Sequence, residues 1–230
     1  AQKSSTAKIT VDVGTPGHTI SPTLFGIFFE DINLSADGGL YAELIRNRSF
    51  EDADTLQYWK FIGAEKKSTA NIIKANVHSS PPVPPLNPYN RKSLLIDFDG
   101  SFKLENNGYW GIHVASGERY LFKLAACAVG GLKIPLQVKI VSADGNVLAS
   151  GEINGITSEW KYYPLVLTAS GGDSNARLEI SGSGNGKLFL DMVSLIPEKT
   201  WKNSGLRIDL AESINALKPT FLRFPGGCWV

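Results

Sequence analysis

Leu24-Phe25-Gly26-Ile27-Phe28-Phe29-Glu30-Asp31-Ile32-Asn33 is an apolar run that hands over, at its far end, to two carboxylates and an amide. The run is too short to span a bilayer and reads as a strand buried on both faces. Polar groups at the carboxyl end of such a strand are where α/β barrels place their chemistry. A related pattern closes the sequence: Thr220-Phe221-Leu222-Arg223-Phe224-Pro225-Gly226-Gly227-Cys228-Trp229. The two runs are expected to pair as neighbouring parallel strands, as strand–helix–strand units normally do. The segment between them has a different texture, so the chain reads as one fold interrupted by another.

From Leu56 to Pro197 the sequence breaks into short alternating stretches separated by turn residues. Ser93–Phe98, Tyr109–Val114, Tyr120–Ala125, Leu136–Val141, Lys161–Leu167, Arg177–Ser181 and Lys187–Val193 are the strand candidates. Asp99-Gly100, Asp144-Gly145-Asn146 and Gly182–Gly186 read as turns between them. This spacing predicts an antiparallel sandwich of jelly-roll type, with Pro81–Pro85 as a stiff connection. Outside it, Lys8–Val13 alternates like a half-buried strand, and Leu40–Asn47 has spacing for about two helical turns. Leu206, Leu210, Ile214 and Leu217 recur at helical spacing until Pro219 stops them. The resulting fold class is mostly β: a sandwich inserted into the start of a (β/α)8 barrel, of which the first strand, a helix and the second strand are present. The expected divisions are 1–19, a strand of an accessory sandwich; 20–55, the barrel start; 56–197, the insertion; and 198–230, the barrel continuation.

With 230 residues, 43% hydrophobic and 20% charged, the chain can bury a core. Its 23 basic and 22 acidic residues leave a formal net charge of +1, which gives no electrostatic argument for nucleic acid or an anionic membrane. The three histidines and two cysteines are too scattered for a zinc site, and a Cys127–Cys228 disulfide is not expected. A polar start at Ala1-Gln2, without Met, resembles a mature end left after signal removal, so export is the expected localisation.

Glu30, Asp31 and Asn33 have the chemistry to hold sugar hydroxyls, a metal or one another, and equally to cap a helix or brace a loop. Pro225-Gly226-Gly227 lets the backbone turn sharply and approach a ligand. Arg223, inside an apolar strand, implies a carboxylate nearby, because a guanidinium buried alone costs several kcal/mol.

Gly26–Asn33, Gly38–Glu51 and Phe221–Cys228 closely resemble motifs of α-L-arabinofuranosidases of glycoside hydrolase family fifty-one. The middle segment resembles the carbohydrate-binding sandwich inserted in many of them, on Asn107–Val114, Gly117–Phe122, Glu159-Trp160 and Leu190–Leu195. The resemblance implies a retaining glycosidase that removes non-reducing terminal α-L-arabinofuranosyl residues from arabinan- or arabinoxylan-type polysaccharides. Glu30 then matches a carboxylate that binds the arabinofuranose hydroxyls, and Asn33, Cys228 and Trp229 are carried over as substrate-binding. Arg223 matches the arginine that supports the nucleophile. Both catalytic glutamates are expected beyond Val230, so the 230-residue chain by itself is expected to be inactive. No cofactor is required, but sandwiches of this kind often carry a structural Ca²⁺, and Glu51 and Asp191 stand in its place by resemblance. The implied partner is a plant cell-wall polysaccharide or oligosaccharide containing arabinose, and a homo-oligomer is allowed. The competing readings are a non-catalytic carbohydrate-binding module, with Trp59, Tyr109, Trp110, Trp160, Tyr162 and Tyr163 as stacking aromatics, and a purely structural insertion.

Overall fold

Alternation of apolar and polar side chains drives strand formation here, because one face of each strand must be buried and the other need not be. The computed structural model describes residues 6–63, 68–74 and 86–226. Its strands are β1 (Ile27–Phe28), β2 (Trp59–Gly63), β3 (Thr69–Lys74), β4 (Lys92–Asn106), β5 (Ile112–Val114), β6 (Arg119–Ala128), β7 (Leu136–Val141), β8 (Val147–Ile153), β9 (Lys161–Thr168), β10 (Asp173–Pro197) and β11 (Leu222–Arg223), with helix α1 (Ile208–Ala216) before the last. The residues group into two compact units, Asp31–Ser213 and a smaller one made of Ala1–Glu30 with Ile214–Val230.

The larger unit is organised by β4 and β10, which pair antiparallel from Leu94↔Leu190 to Asn106↔Leu178. Each changes its outer neighbour at mid-length. The Phe102–Asn106 half of β4 pairs with β2, and the Lys92–Asp97 half with β3. Likewise, Arg177–Ser181 of β10 pairs with β7, and Leu188–Pro197 with β6. β8 and β9 complete the two leaves beyond β7 and β6. Between the leaves lie fully buried side chains such as Leu94, Ile96, Leu104, Phe122, Ile140 and Leu178. Each buried aliphatic or aromatic side chain contributes roughly 1.5–3 kcal/mol.

The mostly β sandwich expected from the sequence is therefore present, but several of its parts are placed differently. Asp99-Gly100 and Gly182–Gly186 are not turns: Gly100 faces Gly184 across a continuous ribbon. A Cβ at Gly182 would stand 2.9 Å from the Phe102 ring, so this glycine makes room for an aromatic side chain rather than for a reversal. β2, β3 and β8 lie outside the candidate strands. Leu40–Asn47 is not helical. The Leu44 amide donates to the Leu195 carbonyl, and the Val193 amide to the Arg48 carbonyl, so this stretch runs extended along β10. Ile45 and Phe50 are fully buried on it and tie it to the core.

In the smaller unit, β1 and β11 form the expected parallel pair, with Ile27 opposite Leu222 and Phe28 opposite Arg223. Regular strand is confined to those residues. Leu24, Phe25 and Phe28 are exposed rather than buried, since each strand here has a single neighbour. Residues 8–13 are exposed and form no strand. The predicted Pro81–Pro85 connection lies outside the described residues.

Candidate functional site

The parallel pair sets where Glu30 emerges. The Ile27 amide donates to the Phe221 carbonyl at 3.0 Å, and the Phe29 amide to the Arg223 carbonyl at 2.9 Å. The Phe29 and Phe224 rings stack at 5.9 Å. Beyond them the backbone of Gly226 lies against the Glu30 side chain. A Cβ there would come within 2.7 Å of the Glu30 Cγ, and the residue sits at φ +118°. Glycine is thus required at this position on both counts. The backbone was expected to approach a ligand here; at Gly226 it approaches the Glu30 side chain. Arg223 departs from expectation. It is exposed on its two-residue strand, with its guanidinium carbon 5.5 Å from the centre of the Phe28 ring. Cys228 and Trp229 lie outside the described residues.

In the larger unit, Asn33 is exposed and takes a left-handed conformation, φ 54°. Glu51 and Asp191 are brought together. The Glu51 carboxylate accepts the Lys92 amide at 2.8 Å. Asp191 is fully buried in β10; its Oδ1 accepts the Met192 amide at 2.7 Å, while its Oδ2 has no hydrogen-bond partner among the described residues. Burial pushes the Asp191 carboxyl up to about 7, the Met192 amide pulls it down, and the neighbouring Glu51 charge pushes it up again.

Two features escaped the sequence reading. Glu43 is buried and accepts the amides of Leu44, Ile45 and Leu195 at 2.9–3.1 Å and the Ser194 hydroxyl at 2.6 Å. It joins the 42–51 segment to β10. The second is a polar cleft of about 530 Å³ whose lining includes Arg46, Arg48, Asp37, Asp52 and Tyr109. Its signal in the sequence was Arg46-Asn47-Arg48-Ser49, four polar residues in a row, two of them charged, between Ile45 and Phe50.

Fold and residues together define a jelly-roll-type sandwich protein that also carries a parallel strand pair ending in a carboxylate. No protein-family model matches the chain. It is 39% identical over 227 residues to an extracellular exo-α-L-arabinofuranosidase of Streptomyces chartreusis, covering 96% of this chain and 26% of that protein. To α-L-arabinofuranosidase 2 of Arabidopsis thaliana it is 33% identical over 244 residues, covering 100% of this chain and 35% of the relative. Among solved structures, an arabinose-bound α-L-arabinofuranosidase of glycoside hydrolase family 51 superposes with a TM-score of 0.78 at 32% identity, over 93% of this chain and 36% of that one. A cyclase from Fischerella sp. matches 68% of this chain and 96% of its own, with a TM-score of 0.53 at 15% identity, and shows the fold alone. The chain is homologous to a part of α-L-arabinofuranosidases, as its motifs implied, and spans about a quarter to a third of these relatives' length.

Proposed function

We infer that the chain is part of a retaining glycoside hydrolase that removes non-reducing terminal α-L-arabinofuranosyl residues from arabinan- or arabinoxylan-type glycans. What carries this reading is similarity to arabinofuranosidases over nearly the whole chain, including the strand that ends in Glu30. In this reading Glu30 grips a hydroxyl of the arabinofuranose. Carboxylate–hydroxyl bonds are charge-assisted, and they strengthen as the ring flattens toward an oxocarbenium-like transition state. Gly226 keeps the backbone against Glu30 and so fixes its rotamer; by resemblance, Asn33, Cys228 and Trp229 are further substrate-binding residues. Arg223 supports the nucleophile. The acid/base and the nucleophile are assigned to none of these 230 residues, and the chain alone is expected to release no arabinose. The name of the Streptomyces relative supports placing the protein outside the cytoplasm, and no helix among the described residues is long and apolar enough to cross a membrane.

Calcium fits the Asp191–Glu51 pair. A buried carboxylate oxygen without a partner, with a second carboxylate beside it, is the donor chemistry a hard cation takes. No group of three His, Cys, Asp or Glu capable of holding a metal is found among the described residues. Main-chain carbonyls would therefore supply the remaining ligands, and the ion would neutralise the pair and brace the strand.

The deciding experiment is hydrolysis of an aryl α-L-arabinofuranoside by the longer protein that contains this chain, wild type against Glu30→Gln. The variant is expected to fold normally and to lose about tenfold or more in kcat/KM, the loss of one charge-assisted contact. Wild-type rates in the variant would return Glu30 to a loop-bracing role.

A further inference from the structure

We propose that the polar cleft of the larger unit is a binding site for a neutral sugar, one to three residues long. Its volume, about 530 Å³, falls in the range of about 300–1,000 Å³ that holds small ligands. The choice of a sugar rests in one respect on the reading above, since arabinofuranosidase relatives supply the class of ligand; the site itself rests on the following geometry.

The charges of the cleft are arranged against an anion. Arg48 is tied to Asp37, its Nε donating to Oδ2 at 2.9 Å. Arg46 lies with its guanidinium carbon 3.7 Å from the centre of the Tyr58 ring and 5.9 Å from that of Tyr109, and donates to the Tyr58 hydroxyl at 2.9 Å. Two arginines are therefore outnumbered by Asp31, Asp37 and Asp52 on the same wall. Phosphate and uronate ligands would need the reverse balance.

Unused hydrogen-bonding capacity is also of both kinds. Asp52 is exposed, and its carboxylate has no hydrogen bond or ion pair among the described residues. Asp31 commits one oxygen, to the Ala36 amide. Arg46 keeps N–H groups beyond the one given to Tyr58, and the Asn47 amide, with one N–H on the Gln57 carbonyl, keeps another. A ligand whose groups each donate and accept fits this mixture, and hydroxyls do that. Tyr109, half-buried, offers an aromatic surface for the C–H face of a ring.

The backbone around the cleft is unusually constrained. Leu34, Asn47 and Met192, all on its wall, hold positive φ of 64°, 50° and 47°, and Phe50, next to the lining residue Ser49, holds 58°. Residues other than glycine seldom adopt this region, and such positions gather at binding sites where surrounding contacts over-determine them. Phe50 is fully buried and Asn47 is fastened through both ends of its amide, so the wall is set before any ligand arrives.

The test is a titration of the ¹⁵N-labelled 230-residue chain with α-1,5-linked L-arabinotriose, xylotriose and, as an anionic control, glucuronate. Saturable shifts of the Ser49, Asp52 and Asn90 amides with a neutral trisaccharide are expected, and weakening by about tenfold in Asp52→Asn. Asp52 is exposed, so the variant keeps the melting profile of the wild type. Shifts confined to other faces would overturn the proposal, as would none at sugar concentrations on the order of tens of millimolar, or wild-type affinity in Asp52→Asn and Asp52→Ala. The two readings fail separately. Sugar binding here with no arabinosidase activity in the longer protein would refute the proposed function alone. Activity without binding at this cleft would refute this proposal alone.

Discussion

Removing Glu43 tests whether one buried carboxylate holds the 42–51 segment against β10. Its Oε1 accepts three amides and its Oε2 the Ser194 hydroxyl, all in the interior. The Leu44 amide has a second acceptor, the Leu195 carbonyl, so Glu43→Ala strands two amides, Ile45 and Leu195, and one hydroxyl. A buried polar group left unpaired costs about 1–3 kcal/mol, which sums to about 3–9 kcal/mol for the three before any cavity is counted. That is a large part of the 5–15 kcal/mol typical of a domain (roughly). Glu43→Gln keeps the oxygen that serves the amides and turns the other contact into N–H to hydroxyl, so about 1 kcal/mol is expected. The pH dependence separates charge from geometry. Burial raises the Glu43 carboxyl above its ordinary 4.5, and its hydrogen bonds only partly oppose this. A raised carboxyl contributes its stability in full below 4.5 and loses it as the pH climbs through the folded value. The wild type should therefore lose ground to Glu43→Gln as the pH rises from 4 to 8. Urea denaturation followed by tryptophan fluorescence at several pH values measures all of this. A Glu43→Ala protein within 1 kcal/mol of wild type (about the error of such extrapolations), or a Gln variant as weak as the Ala variant, would refute the reasoning.

Asp191 gives a second pH signature: with its carboxyl raised to about 7, it costs the metal-free protein stability as the pH rises from about 4 toward 7, a part of the decline that Asp191→Asn should lack. Thermal melts at pH 8 with Ca²⁺ or EGTA should show a rise with calcium in the wild type and none in the variant; no response in either would remove the metal. Gly226→Ala should cut arabinofuranoside turnover in the longer protein at least as much as Glu30→Gln, because the new methyl group displaces Glu30 and the left-handed backbone is strained besides. Full activity in that variant would detach Gly226 from the positioning of Glu30.

What could be read from the sequence was what repeats with a short period. The alternation in Leu136–Val141 and Lys161–Leu167 marked real strands, and the apolar runs around Ile27 and Leu222 marked a real parallel pair. What could not be read depended on partners distant in the chain. Leu40, Leu44 and Ile45 have helical spacing, but the carbonyls of Leu195 and Gly205 and the carboxylate of Glu43 claim the local amides. Asp99-Gly100 has the composition of a turn and becomes strand because Gly184 and Asn185 lie opposite it. At the site, Asp191 and Glu51 were reached only through the family resemblance. Glu43, Arg46 and Asp52 did not stand out, since their meaning comes from a fold around them rather than from spacing.

β4 and β10 have a consequence for how the sandwich can fail. In a sandwich of separately assigned strands, one sheet can peel from the other and leave it standing. Here both sheets are woven on the same two threads, so there is no seam along which to delaminate. Loosening either leaf slackens the shared ribbon and reaches the other through the main chain itself. Amide exchange across the β4–β10 ribbon should consequently proceed at one common rate on both sides of Gly100, the behaviour of a hem rather than of two pages.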